Sequence, residues 1–312
     1  MIRVSVPDDS PSVLATSGVW AALKSAAELD YFDTLPASEE ELAERLRHAD
    51  AALNIRASTK FTARVFQACP KLRMLSIWGT GTDHVDLAAA AQFGVTVTNT
   101  PGVSAVSIAE HAMALLFAVA RRLPQMDRST RAGTWERGSF TELRGKTCGV
   151  IGYGAIGREF ARIAGGIGMK TLLWTMHPER YPGVLFSDLV EIYRTSDVIS
   201  VHLRLSADTT CFIGAEQFAM MKPNAILINT ARGAIVDERA MFSALVDHRI
   251  AGAGLDVFTS EPIARDHPLI ELGNVVVTPH CAGATPEARE AGLAMAVENI
   301  RAFERGAPMN VV

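Results

Sequence analysis

The chain has 312 residues, 48% hydrophobic and 21% charged, which allows one large globular domain or two ordinary ones with a sizeable core. A net charge of −4 gives no reason to expect nucleic acid or an anionic membrane as a partner. Four cysteines (Cys69, Cys148, Cys211, Cys281) stand far apart with no metal-ligand spacing, so they read as reduced thiols of a cytoplasmic protein and no metal is expected.

The amino terminus enters an alternating strand at once, Ile2-Arg-Val-Ser-Val6, with no charged-then-apolar leader. Strands are predicted at Arg3–Pro7, Leu29–Asp33, Ala51–Ile55, Leu72–Trp78 and Val95–Thr98. Ser38-Glu-Glu-Glu41 is the opening of a helix that runs to about His48. This alternation builds a parallel sheet covered on both faces. Asn99-Thr-Pro-Gly102 breaks the pattern and marks a crossing into a second unit. A long helix follows, Ser107 to about Leu123, then a polar arm from Pro124 to Lys146. The longest apolar run, Ala112–Ala120, is closed by Arg121-Arg122 and is too short to span a bilayer. A soluble protein is expected.

The second unit opens on Cys148-Gly-Val-Ile151, a buried strand, followed directly by Gly152-x-Gly154-x-x-Gly157. Apolar residues then recur at helical spacing: Ile156, Phe160, Ile163, Ala164 and Ile167. Gly152 makes the tight turn, Gly154 lets backbone amides approach a pyrophosphate, and Gly157 lets the helix pack closely on its strand. Orphan amides and the helix dipole then face the phosphates, so Gly152, Gly154, Ala155, Ile156 and Gly157 are candidate dinucleotide-binding residues. A glycine-tightened corner without a ligand is the plain alternative. Further strands are predicted at Lys170–Trp174, Val198–Leu203, Ala225–Thr230, Gly252–Val257 and Val275–Thr278, with a helix over Asp237–Asp247. The last helix opens at Thr285-Pro-Glu, ends near Gly306, and is long enough to return to the first unit. The expected division is 1–99 with 284–312 as a flavodoxin-like substrate-binding domain, and 100–283 as a dinucleotide-binding Rossmann domain.

Open α/β sheets bind ligands at the carboxyl ends of their strands. Four polar stretches follow strands: Trp78-Gly-Thr-Gly-Thr-Asp-His-Val-Asp86, Asn229-Thr-Ala-Arg232-Gly, Asp256-Val-Phe-Thr-Ser-Glu261-Pro and Thr278-Pro-His280. Singly, each has an ordinary structural reading: a surface salt bridge for Arg232, a solvated loop for Glu261, a loop histidine for His280, a sharp turn for Gly79 and Gly81. Together, beside a dinucleotide turn, they point to a site.

These stretches resemble the D-isomer-specific 2-hydroxyacid dehydrogenases, the family of phosphoglycerate, glyoxylate/hydroxypyruvate and D-lactate dehydrogenases. The resemblance covers nearly the whole chain. It rests on residues 79–86, 152–157, Met221–Glu238, Ala251–Phe258, Glu261-Pro262 and Thr278-Pro-His280. It implies two Rossmann-like doubly wound parallel-sheet domains with the active site in the cleft between them. It also implies a homodimer through residues 103–146, and Arg232, Glu261 and His280 as the catalytic set. It aligns Asp256 with the position that hydrogen-bonds the nicotinamide carboxamide, a turn-capping carboxylate being the other reading. His202 is expected as a wall of the cofactor site, and Thr230, Ala231 and Gly283 as further cofactor neighbours. Cys281 departs from the aliphatic residue or alanine usual beside the histidine.

The chemistry explains these residue types independently. Reducing a 2-oxoacid takes a hydride at the carbonyl carbon and a proton at its oxygen. Arg232 offers a planar fork for the carboxylate and carbonyl. His280 is the natural proton donor near neutral pH, and Glu261 on its other nitrogen fixes the tautomer and favours the charged form. The amides of Gly79, Thr80 and Gly81 form a nest for the substrate carboxylate. Arg56 reads equally as a cation at the cleft mouth and as a structural residue.

Roughly 20 residues after the glycine-rich turn, an NAD-specific fold carries an acidic residue for the ribose hydroxyls. Here Thr175 stands at that strand end, followed by His177, Glu179 and Arg180. The cofactor is therefore expected to be NAD(P), with a lean toward NADP. The expected function is a 2-oxoacid reductase; the alternative is a catalytically weak dinucleotide-sensing protein, like the corepressor the family includes. Formate dehydrogenases pair the histidine with an amide side chain, which Glu261 is not. A serine-pathway phosphoglycerate dehydrogenase is a further reading, though with Val312 just past the closing helix no carboxyl-terminal regulatory domain of that kind is expected.

Overall fold

The computed structural model of the chain describes residues 2–312. They form two compact units, residues 2–104 with Thr285–Val312, and Ala105–Ala284. Each is the parallel α/β sheet expected of its βα rhythm.

In the first unit, β1 (Ile2–Val6), β2 (Ala27–Tyr31), β3 (Ala51–Asn54), β4 (Met74–Ile77) and β5 (Thr96–Thr98) line up in the order β2-β1-β3-β4-β5, the flavodoxin-like arrangement. Every residue of β3 and β4 is buried, as a parallel sheet covered on both faces requires. One face carries the final helix, Pro286–Glu304. Leu293, Ala296, Val297 and Ile300 join Val4, Val6, Ala51 and Leu53 in one apolar cluster. Thr285 caps this helix by accepting from the Ala288 amide, with Pro286 at its first position. Gly292 lets it settle on Trp78, since a Cβ there would stand 2.5 Å from the indole nitrogen. Ser76 Oγ (2.9 Å to the Ala296 carbonyl) and Asn299 Nδ2 (2.9 Å to the Asn99 carbonyl) fix its register.

In the second unit, β6 (Thr147–Ile151), β7 (Lys170–Trp174), β8 (Val198–Val201), β9 (Ile226–Asn229), β10 (Gly252–Leu255) and β11 (Val275–Val277) run β7-β6-β8-β9-β10-β11, all parallel. The chain reverses its progress across the sheet between β6 and β8, where ligands of open α/β sheets bind. The helix Ala105–Ala120 packs on this sheet through Ala109, Ala112, Leu115 and Leu116. Two glycines of β10 set its distance: a Cβ at Gly254 would lie 2.9 Å from Leu115 Cβ, and one at Gly252 2.9 Å from Val119 Cγ1. That close approach fixes where His111 arrives.

The polar arm expected over residues 124–146 is corrected in its first part, which is a helix, Leu123–Arg131. Pro124 lies in the first helical turn, where its missing N–H has no partner to lose. Residues 132–146 carry no helix or strand. Among the described residues, no helix is long and apolar enough to cross a membrane.

Candidate functional site

In the second unit, the carboxyl ends of β9, β10 and β11 bring Arg232, Glu261 and His280 together. After β9 the chain turns sharply. Asn229 shapes the turn, its Oδ1 accepting from the Ala231 amide (3.0 Å) and its Nδ2 donating to the Arg232 carbonyl (3.0 Å). Gly233 then lies so near the end of β10 that a Cβ would stand 2.0 Å from the Phe258 carbonyl carbon. Arg232 Nη1 donates to the Ala231 carbonyl at 2.8 Å.

His280 holds a left-handed conformation, φ 51°, with its amide donating to the Asp256 carbonyl at 2.8 Å. This turn presents Nδ1 to Glu261 Oε2 at 2.7 Å. Glu261 Oε1 accepts from the Phe258 amide at 2.9 Å, so the carboxylate is held at both oxygens. Burial works to raise the Glu261 carboxyl, but the His280 bond, the Phe258 amide and the charges of His280 and Arg232 hold it below its ordinary range. Side-chain exposure of 42% for His280 and 34% for Glu261 makes the pair a poor source of stability and an accessible source of protons.

Behind this pair lies Asp256, fully buried. Its Oδ1 accepts from Thr278 Oγ1 (2.6 Å) and the Cys281 amide (2.9 Å), and its Oδ2 from the Ala282 amide (2.8 Å). His111 Nε2 meets Thr278 Oγ1 at 2.9 Å. Gly283 lies in the turn closed by the Ala284 amide on the Cys281 carbonyl, 2.8 Å. In this structure, then, Asp256 braces the loop that carries His280.

The glycine-rich turn is built for close approach. A Cβ on Gly157 would lie 1.9 Å from the Gly152 carbonyl oxygen, and one on Gly152 (φ 103°) 2.5 Å from that of His202. Around Gly154 the space is open, and Ala155 and Ile156 begin the helix Ala155–Gly166, whose first amides have no intrahelical acceptor. Thr230 Oγ1, at the end of β9, is buried without a hydrogen-bond partner. An open cradle of amides and an orphaned hydroxyl fit a bound dinucleotide. His202, bonded to Ser200 Oγ at 2.9 Å and packed on Phe160, is pushed by burial down to about 3, so it stays neutral and donates no catalytic proton. Gly157→Ala should cost about 2–3 kcal/mol or more, because the clash is with backbone that cannot step aside. Calorimetric melting of the variant checks this; an unchanged Tm would show that the helix can slide.

Thr175 directly follows β7, with its Oγ1 accepting from the His177 amide at 3.3 Å. His177 (3.4 Å) and Arg180 (3.8 Å) both face Glu179. Sequence reasoning missed the aromatic group beside them: Tyr153, Tyr181 and Phe186 meet edge to face, with Arg158 over Tyr181 at 5.8 Å.

In the first unit, Arg56 follows β3 and Gly79–Gly81 follow β4. Arg56 stacks over Trp78 at 5.9 Å and bonds to the Pro11 carbonyl. Gly79, at φ 145°, donates to Thr100 Oγ1 (2.8 Å), and the Thr80 carbonyl accepts from Asn99 Nδ2 (2.8 Å). The loop is thus latched by side chains from residues 99–100.

A family model described as "D-isomer specific 2-hydroxyacid dehydrogenase, NAD binding domain" matches residues 113–282, more than half of the chain. The chain belongs to this family. Its glyoxylate reductase relative from Korarchaeum cryptofilum is 41% identical over 297 residues, 91% of this chain and 89% of that one. A D-3-phosphoglycerate dehydrogenase from Archaeoglobus fulgidus is 42% identical over 279 residues, but this chain spans only 53% of its length. An acyclic imino acid reductase solved with NADPH and D-arginine superposes with a TM-score of 0.93 at 34% identity, covering 100% of both chains. The D-isomer-specific 2-hydroxyacid dehydrogenase fold, NAD(P) use and oxidoreductase class of this chain follow from these likenesses together.

Proposed function

We propose that the chain reduces a small 2-oxoacid, of the glyoxylate and hydroxypyruvate class, with Arg232, Glu261 and His280 as its catalytic residues. The observation that carries this is the 2.7 Å bond between His280 Nδ1 and Glu261 beside Arg232. With Nδ1 committed to the carboxylate, Nε2 is the nitrogen left to donate a proton to the substrate carbonyl oxygen. Arg232 grips the substrate carboxylate and polarises the carbonyl. A reduced nicotinamide supplies the hydride when bound. The amides of Thr80 and Gly81, and the Arg56 guanidinium, are proposed to bind the substrate carboxylate, the Gly79 amide being taken by Thr100 Oγ1. Gly152, Gly154, Ala155, Ile156, Gly157, Thr175, His202, Thr230, Ala231, Asp256 and Gly283 are proposed as the cofactor's neighbours. Initial rates with glyoxylate, hydroxypyruvate, pyruvate and longer 2-oxoacids test the reading. Turnover of none of them, with cofactor binding intact, would overturn it.

NADPH is proposed as the mildly preferred cofactor. An acid at position 175 would oppose a 2′-phosphate by about 4 kcal/mol at ~4 Å and an effective dielectric near 20, before solvent screening. Thr175 removes that repulsion, and Arg180 and His177 stand close by. Glu179 competes for both side chains, which keeps the preference small. Thr175→Asp should move the kcat/KM ratio toward NADH; a native preference for NADH above tenfold would contradict the proposal.

A homodimer is proposed through residues 103–146, supported by large apolar side chains left exposed there, Val106, Phe117, Leu123 and Trp135 (76% exposed). The free state of all four cysteines suits the cytoplasm.

A further inference from the structure

Three side chains from separate elements meet beside the loop that carries His280. His111 comes from the helix Ala105–Ala120, Asp256 follows β10, and Cys281 follows β11. One ligand atom from each lies within 4.8 Å of the others, and His111 Nε2 is 3.5 Å from Asp256 Oδ1. We propose that this cluster binds a single thiophilic divalent ion, Zn2+ being the fitting case, through His111 Nε2, Asp256 Oδ1 and Cys281 Sγ, with a fourth position open.

The donor set is the first argument. Imidazole, thiolate and carboxylate are the ligands zinc takes, and the sulfur discriminates against magnesium and calcium. Geometry is the second. Zinc–ligand bonds of about 2.0–2.3 Å in a tetrahedron need ligand atoms roughly 3.3–3.6 Å apart. The His111–Asp256 edge already has that length, at 3.5 Å. The Cys281 sulfur lies within 4.8 Å of both other ligand atoms and must move closer to reach that length. Charge is the third. One carboxylate and one thiolate neutralise a dication, which matters where Asp256 has 0% exposure. The carboxylate is also aimed in advance by the Cys281 and Ala282 amides, the kind of outer support that metal ligands need.

On binding, the Cys281 thiol releases its proton to solvent, and His111 ligates through Nε2 with its ring proton on Nδ1. Thr278 Oγ1, which now bridges His111 and Asp256, turns away. Without a cation, burial and the nearby Asp256 charge push the Cys281 thiol up, so it is a poor free nucleophile at neutral pH. A cation reverses that balance. Because Cys281 follows His280 directly, an ion held there stiffens the catalytic loop, and zinc inhibits reduction.

Titrating CoCl2 into the cofactor-free chain reads the site without turnover. The expected result is a saturable one-to-one thiolate-to-cobalt absorption band that ZnCl2 displaces and Cys281→Ala removes. In parallel, Cys281→Ala should reduce 2-oxoacids at the native rate while needing at least roughly tenfold more ZnCl2 for half inhibition, the usual scale for a lost metal contact. His111→Gln should weaken the cobalt band in the same way. A native chain with no such band, a band that survives Cys281→Ala, or equal zinc inhibition in both proteins overturns the proposal. The cobalt band does not depend on the proposed substrate class, so its failure and that of the catalytic reading are separable.

Discussion

Arg232→Lys lowers kcat/KM for a 2-oxoacid by roughly a hundredfold or more, and leaves cofactor affinity near its native value. Lysine keeps the charge but loses the planar fork that grips a carboxylate and a carbonyl together. A hundredfold is about 2.7 kcal/mol of transition-state stabilisation, the scale of one lost oxyanion donor. The turn that aims Arg232 is held by backbone and by Asn229 besides the guanidinium's own bond to the Ala231 carbonyl: Asn229 Nδ2 holds the Arg232 carbonyl and Gly233 abuts Phe258. The variant should therefore fold normally, and an unchanged Tm beside the kinetic loss separates catalysis from stability. Near-native rates with a lowered Tm would make the arginine structural.

The elements that the sequence announces are those whose signals are local. β3 and β4 are short apolar runs buried on both faces. The helices at Glu39, Glu238 and Pro286 each follow a residue whose side chain caps them, Ser38, Asp237 and Thr285. By contrast, the helix Trp20–Ala26 follows Val19 and the helix Leu123–Arg131 follows Arg122, and neither has a side-chain cap. Neither start carries the capping side chain that announces the others, and the second is marked only by Pro124 in its first turn.

The site divides the same way. Arg232, Glu261 and His280 each follow a strand end within a few residues, so a strand reading alone puts them at the carboxyl edge of one sheet. Their pairing was legible only as chemistry. The His111–Thr278 bond joins residues 167 apart, and no periodicity links a mid-helix histidine to that loop. It depends on the approach that Gly252 and Gly254 permit, a contact invisible until the helix is docked. Asp256 shows the limit from the other side. Its residue type suited both a cofactor contact and a turn cap, and the three bonds it accepts show the cap directly.

His280→Ala should cost about 10²–10⁴-fold in kcat/KM, and Glu261→Gln less, with a changed pH profile as its signature. Reduction takes a proton from the imidazole, and with Nδ1 held by Glu261 at 2.7 Å the proton leaves from Nε2. Burial opposes the Glu261 charge, but the His280 bond, the Phe258 amide and the charges of His280 and Arg232 hold its carboxyl below the ordinary carboxylate range. The carboxylate is therefore ionised at neutral pH, and its contribution is lost only as pH falls through that lowered value. The native chain should accordingly lose kcat/KM on acidification below the ordinary carboxylate range, a limb that Glu261→Gln, with nothing to protonate there, does not show. Rates of reduction by both proteins, from neutral pH down to the limit of folding, measure this. An acid limb that survives in Glu261→Gln would take the carboxylate out of the proton transfer, and leave it only the task of orienting the ring.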